Sequence, residues 1–574
     1  MTQLSQIRTA LQRGDKFGSI ARFAKRIVAP RRRDSSIRRY LAKARKSKRA
    51  VVEEFGAQLR THRGRRNVRK TWCDAAIYVL LTRARSGIAW TLSSEERFLD
   101  RILRLRQTPN EAVRCLWKRS DTAALFLRSV VNGETQWLPA WVAACRASNE
   151  ERIIPLSETA MLAAAFAMEK SFSRAIACAR AFYPRKVIRA GLRRNVPFGR
   201  LIGWGRAARG FFEQRMSKQI AQWRGENAAD PEETFFRLLV DPTFKGGIAA
   251  VWNEALFRAI VLTACDQSYS KRKVVDVFLD LRIRARRNVR QALPLLPIST
   301  NCPDSRLIQL GTVHRTTDSI HTAWVDTCHA NREGSIPLRF RGVFLAHLAN
   351  DRAPADALKL ARSFSAARYL REQIAARRPL GWLSLCAAVL HDLLQAELAG
   401  DIVVWNARGR LSLAQDWDIM LQFVAPGDFV PKCDALESWN EVLFRALVLR
   451  VNPGTTELGL TAFEQFVDGV VRRDLVPAEV LRGIPKAAGV KCKDDAIRNR
   501  VLALMAIATN QGQDPATVWH HHTRQQGMGF LWSLLMHLAK GWAPRMAVGL
   551  VRSEYFCYED QDGRQGLRVF ATAS

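Results

Sequence analysis

The stretch Trp252-Asn253-Glu254-Ala255-Leu256-Phe257-Arg258-Ala259-Ile260-Val261-Leu262 returns as Trp439-Asn440-Glu441-Val442-Leu443-Phe444-Arg445-Ala446-Leu447-Val448-Leu449, with nine of eleven residues identical. Further landmarks repeat around it in the same order. A-W-V-x-x-C at Ala140–Cys145 recurs at Ala323–Cys328, an offset of 183, and I-P-L at Ile154–Leu156 recurs at Ile336–Leu338, an offset of 182. Arg180 aligns with Arg362, and Pro197-Phe198-Gly199 with Pro379-Leu380-Gly381. His347-Leu348-Ala349, closed by Ala353-Pro354, returns as His537-Leu538-Ala539, closed by Ala543-Pro544. Trp72 and Ala165 mark the matching places in a first copy, 93 residues apart against 95 and 98 in the others. Agreement in order and spacing makes an internal repeat the first fact about the chain, since repetition at a fixed period means units that stack to share a core.

The copies read as helices. Apolar residues run from Trp439 to Leu449, Asn452-Pro453-Gly454 breaks the run, and Ala462, Phe463, Phe466, Val467, Val470 and Val471 follow at helical spacing until Pro477. The same helix, turn and helix pattern appears at Phe344–Ala349 and Ala357–Ala361, at Arg500–Ala508, and at Leu531–Ala539 and Met546–Val551. Period-two alternation is scarce, and Ile402-Val403-Val404-Trp405 is the best strand candidate. The expected fold is therefore all-α: a helical-hairpin repeat array, or α-solenoid, of three tandem copies of roughly 185 residues, the last shortened as a cap. The expected divisions are a basic N-terminal extension at 1–58, copy one at 59–238, copy two at 239–425 and copy three at 426–574. Trp72, Trp252 and Trp439 should be buried equivalents, as should Trp141, Trp324 and Trp519, because repeat landmarks without chemistry belong to the core.

At 574 residues the chain exceeds one hydrophobic core, and its 48% apolar content is that of a folded protein. The net charge of +37 implies a field that draws polyanions. Residues 1–70 hold 22 Lys or Arg against 4 Asp or Glu, so +18 lies in the first eighth. Up to Arg33 the only acid is Asp15, while Ile7, Leu11, Phe17, Ile20, Phe23 and Ile27 recur at helical intervals. An Arg-rich, acid-poor, amphipathic start is the pattern of a mitochondrial transit segment, which places the protein in the matrix. A retained basic arm on nucleic acid is the alternative. The 11 cysteines form no C-x-x-C pair, which suits buried thiols in a reducing compartment. No uncharged run reaches 18 residues, so no membrane span is expected.

Trp439–Pro477 resembles a pentatricopeptide-repeat unit. Its first helix opens W-N-E-V-L-F-R-A-L, and its second reads T-A-F-E-Q-F-V-D-G-V-V-R-R-D-L-V-P. Ser157–Phe182 and Phe340–Phe364 have the small-residue pattern of the related tetratricopeptide class. The resemblance covers about a third of the chain. It implies an organelle RNA-binding or ribonucleoprotein role, without a readable base code.

The strongest candidate site is the run from 170 to 209, which has eleven cations and no acid. Lys170, Arg174, Arg185, Lys186, Arg189, Arg193, Arg194, Arg200, Arg206 and Arg209 are read as phosphate contacts, and Trp204 as a surface on which a base stacks. Arg282, Arg284, Arg286 and Arg287 form a second stripe. No catalytic constellation is found. The adjacent His520-His521-His522 point about 100° apart on a helix and cannot share one metal. Gly203-Trp204-Gly205 fails the dinucleotide spacing. No metal ligand set and no cofactor are expected. The expected function is non-enzymatic: an RNA-binding subunit of a mitochondrial complex, whose partners are rRNA, mRNA or guide-type RNA together with other protein subunits. A protein scaffold with a basic targeting arm is the alternative.

Overall fold

The computed structural model describes residues 3–28, 37, 51–59, 67–85, 91–150, 152–169, 171–242, 244, 246–266, 273–296, 319–330, 336–407, 435–451, 462–483, 537–544, 546–547, 555–559 and 565–569. Among these the protein is mostly helical. One departure from an all-helical chain is an antiparallel strand pair, Tyr555–Glu559 with Gln565–Val569, in register from Tyr555 opposite Val569 to Glu559 opposite Gln565. Trp519 and His520–His522 lie outside the described residues. The strand expected at Ile402–Trp405 is instead part of the helix Ala399–Ala407. Four β-branched or aromatic residues are too short a run to fix a period. On a helix, Ile402 and Trp405 share a buried face, and Val403 and Val404 are left exposed.

The chain divides into two compact units, 1–287 and 288–574. In the first, the helix Val68–Arg85 packs against Gln3–Arg13, Phe17–Val28 and Val51–Leu59. Trp72 of this helix is fully buried, edge-on to Phe55 with centroids 5.2 Å apart. Ile7, Leu11, Ile20, Ala24 and Ile27 enter the same core. The amphipathic stripe at the N-terminus thus has a partner inside the fold. Further along, Pro231–Val240 packs on Ile248–Asp266, and Trp252 meets Phe235 edge-on at 5.4 Å. Ile248–Asp266 is apolar and long enough to cross a membrane by length and composition, and two-thirds of it is buried within the protein.

Both tryptophans hold the same polar anchor. The Nε1–H of Trp72 donates to Oδ1 of Asp100 at 3.1 Å, and that of Trp252 donates to Oδ1 of Asp280 at 3.3 Å. Each aspartate accepts a fork from an arginine four residues on: Arg104 at 2.7 and 2.7 Å, and Arg284 at 2.6 and 2.8 Å. Each arginine also donates Nη1 to a backbone carbonyl from an earlier part of the chain, Asp15 O for Arg104 and Val196 O for Arg284. These side chains are buried, and a buried charge is tolerable only when paired and fully hydrogen-bonded. The helix widens to hold them. Leu105 N–H bonds to Asp100 O and Ala285 N–H to Asp280 O, five residues back, and Arg106 and Arg286 then turn the chain at φ 59° and 54°.

In the second unit, Phe340–Ala349 and Pro354–Ser363 form a helical hairpin, as do Ala366–Ala375 and Leu380–Glu397. Trp439 donates to Asp468 Oδ1 at 3.4 Å, and Arg472 reaches Asp468 Oδ2 at 2.9 Å. Arg472 also donates Nη1 to Ile374 O. Arg473 N–H bonds to Asp468 O, and Asp474 has φ 58°. The landmarks A-W-V-x-x-C and I-P-L are themselves joined. Trp141 donates to Ile154 O at 2.7 Å in the first unit, and Trp324 to Ile336 O at 3.2 Å in the second.

Candidate nucleic-acid interface

The acid-free run occupies three consecutive helices of the first unit: Phe172–Arg180, Pro184–Arg193 and Phe198–Ala207. Pro184 starts the second helix at a position where no N–H is needed. Asn195 ends it at φ 57°, and Val196 N–H closes onto Gly191 O. Ile188, Gly191 and Leu192 face the core, which leaves the charged residues outward.

The cations fall into two classes. Arg189 Nη2 lies 2.6 Å from Glu254 Oε2, and its guanidinium sits 4.4 Å from the Phe257 ring centre. Burial lowers its pKa, and Glu254 opposes that; Arg185, Arg258 and Arg193 add repulsion. This arginine is a clamp between two helices. The same clamp is built by Arg371 in the second unit, on Glu441 at 3.2 Å and over Phe444 at 3.8 Å. Arg8 pairs with Asp74 at 3.1 Å in the corresponding place. Arg209 is bonded to Glu213 at 2.7 Å, and Arg174 pairs with Glu169 at 3.4 Å while staying largely exposed. Lys170 lies outside the described residues.

Arg185, Lys186, Arg193, Arg194, Arg200 and Arg206 are exposed. Residues 185, 189 and 193 recur every fourth position, so Arg185 and Arg193 flank the clamp on one helical face. Lys186 lies 5.4 Å from the centre of Tyr183, a ring half exposed to solvent.

Four expected contacts are corrected here, the first being Arg189, which Glu254 and Phe257 engage. Trp204 is 6% exposed and cannot stack on a base. Its ring packs so closely on Gly191 that a Cβ there would stand 2.7 Å from Trp204 Cζ3. Arg284 is consumed by Asp280 and Val196 O. Arg282 is also buried, with Nη1 bonded to Arg287 O. Folding strips water from both guanidinium groups, and protein acceptors replace it. Arg286 and Arg287 are exposed beyond the turn. Gly205 lies mid-helix, where an added Cβ would stand 2.6 Å from Ile260 Cγ2, so this glycine serves close helix packing and not a phosphate loop.

The Trp–Asp–Arg anchor and the arginine–carboxylate clamp are absent from the sequence-based expectations. The anchor does have a signal in the chain: D-x-x-x-R follows each landmark tryptophan by 28 or 29 residues. No family model, curated protein or solved structure matches the chain.

Proposed function

We propose that the chain is three tandem copies of one helical unit and that it binds RNA without catalysing a reaction, through phosphate contacts from the exposed cations of the first unit. The observation that carries this reading is what remains once the structural arginines are set aside. Arg185, Lys186, Arg193, Arg194, Arg200 and Arg206 stand outward on two successive helices and the turn that joins them, in a stretch with no carboxylate between Lys170 and Phe212. A patch of one sign costs self-repulsion unless a polyanion relieves it. Exposed guanidinium forks match phosphate oxygens, and contacts of this kind carry little sequence information. The net charge of +37 supports the same partner.

Three recurrences support the tandem copies: the Trp–Asp–Arg anchor, the clamp of Arg8, Arg189 and Arg371, and the left-handed turns at Arg106, Arg286 and Asp474. They also favour a start of copy one at the N-terminal helices rather than at residue 59, because Arg8, Asp15 and Phe17 occupy the places of Arg189, Val196 and Phe198. The pentatricopeptide resemblance supports an organelle ribonucleoprotein, in the mitochondrial matrix, as the setting, whereas the Arg-rich start is built into the core around Trp72 and reads as part of the fold. Fluorescence anisotropy of the full chain with labelled single-stranded RNA across a salt series tests the reading. Binding that weakens linearly in log salt supports it, and no binding at low salt refutes it.

A further inference from the structure

We propose that Trp117 is a platform on which an unpaired nucleobase stacks, a second RNA contact apart from the Pro184–Ala207 cations. This inference rests on the RNA-binding reading. Trp117 is 64% exposed, whereas Trp72, Trp141, Trp204, Trp223 and Trp252 in the same unit are buried. It sits in a turn after the short helix Pro109–Arg114, which buried Val113 and Leu116 anchor to the core. The turn is held from outside itself. Arg128 donates Nη2 to the carbonyls of Leu116 and Arg119 and lays its guanidinium 4.9 Å from the indole centre. The ring is thus braced on a fixed backbone while most of it remains in water.

Its surroundings are cationic. Arg114 and Lys118 are exposed beside it, and the segment Arg114–Arg119 has no acid. Arg119 and Arg101 both lie near enough to Arg97 for their like charge to add to the burial that lowers the Arg97 pKa. A carboxylate close by is Asp121, 3.9 Å from Arg119, and it also caps the helix Thr122–Val131. A braced aromatic face among exposed cations suits a flat π-system linked to phosphates. An indole accepts any base, and Arg114 and Lys118 are placed to neutralise the flanking phosphates.

The test uses the full chain, a labelled single-stranded RNA oligonucleotide, and an abasic phosphodiester chain of the same length. Trp117→Ala should weaken RNA binding about five- to a hundredfold, and Trp117→Phe should keep most of it. Neither change should alter binding of the abasic chain or the salt slope. RNA affinity unchanged in Trp117→Ala overturns the proposal. Equal losses for RNA and the abasic chain overturn it too, since stacking needs a base. If the parent protein binds neither probe, the RNA reading itself fails and takes this site with it. The parent's own titration separates that outcome from the others.

Discussion

Arg284 and Asp280 form a buried, two-pronged ion pair four residues apart, and the Trp252 indole bonds to the same carboxylate. Removing one partner strands a charge in the core. Arg284→Met should cost about 3–5 kcal/mol of stability, and Asp280→Leu a similar amount. The double variant should cost less than either single change, because a buried pair can be replaced by apolar residues with little loss. Arg284→Lys should not rescue the site, since an ammonium cannot fork onto Asp280 and also reach Val196 O. Chemical denaturation of the four variants checks this.

The N-terminal helices are predicted to be part of the folded core. Deleting residues 1–28 removes Ile7, Leu11, Ile20, Ala24 and Ile27 from the core around Trp72 and takes the Asp15 carbonyl from Arg104. Burying each large aliphatic side chain contributes about 1.5–3 kcal/mol, so the truncated chain should aggregate or melt far below the parent. Equal melting of the two would show that the segment is dispensable to the fold.

Acid should destabilise the second unit. His321 is stacked on Phe364 with centroids 3.8 Å apart, and His347 lies 5.8 Å from it. Burial pushes the His321 pKa down to about 3, helped by His347, and the His347 pKa down to about 4, helped by Arg352. Tyr369 is a further titratable ring against His321. Both imidazoles are neutral when folded and charge more readily when unfolded. Their contribution is therefore present above pH 6.5 and lost as pH falls from there towards 3. A His321→Phe, His347→Leu variant should show a flatter dependence of denaturation midpoint on pH between 6.5 and 4.

Helical character and the core status of Trp72, Trp252 and Trp439 were legible in the sequence, because repetition and a 3.6-residue period are carried by the chain alone. The split among the arginines was not. Arg185, Arg189 and Arg193 look alike in a string, and only Glu254 and Phe257, more than sixty residues away, convert the middle one into a clamp. Trp204 and Trp117 pose the same problem. Gly191 and Leu201 enclose the first, and a turn pinned by Arg128 presents the second. Arg284 does carry a sign of its pairing in the sequence, since Asp280 stands one helical turn before it.

The most direct measurement reverses Arg185, Lys186, Arg193, Arg194 and Arg200 to Glu together, leaving Arg189 on Glu254, and follows RNA affinity of the full chain against salt. These positions are exposed, so the helical signal and melting should be nearly those of the parent. Affinity should fall for all RNA sequences alike, and the slope of log affinity against log salt should flatten by roughly 0.7 for each phosphate that is no longer neutralised. A folded variant with the parent's affinity and salt slope would contradict the central claim, because the exposed cations of Pro184–Ala207 would then not be what holds RNA.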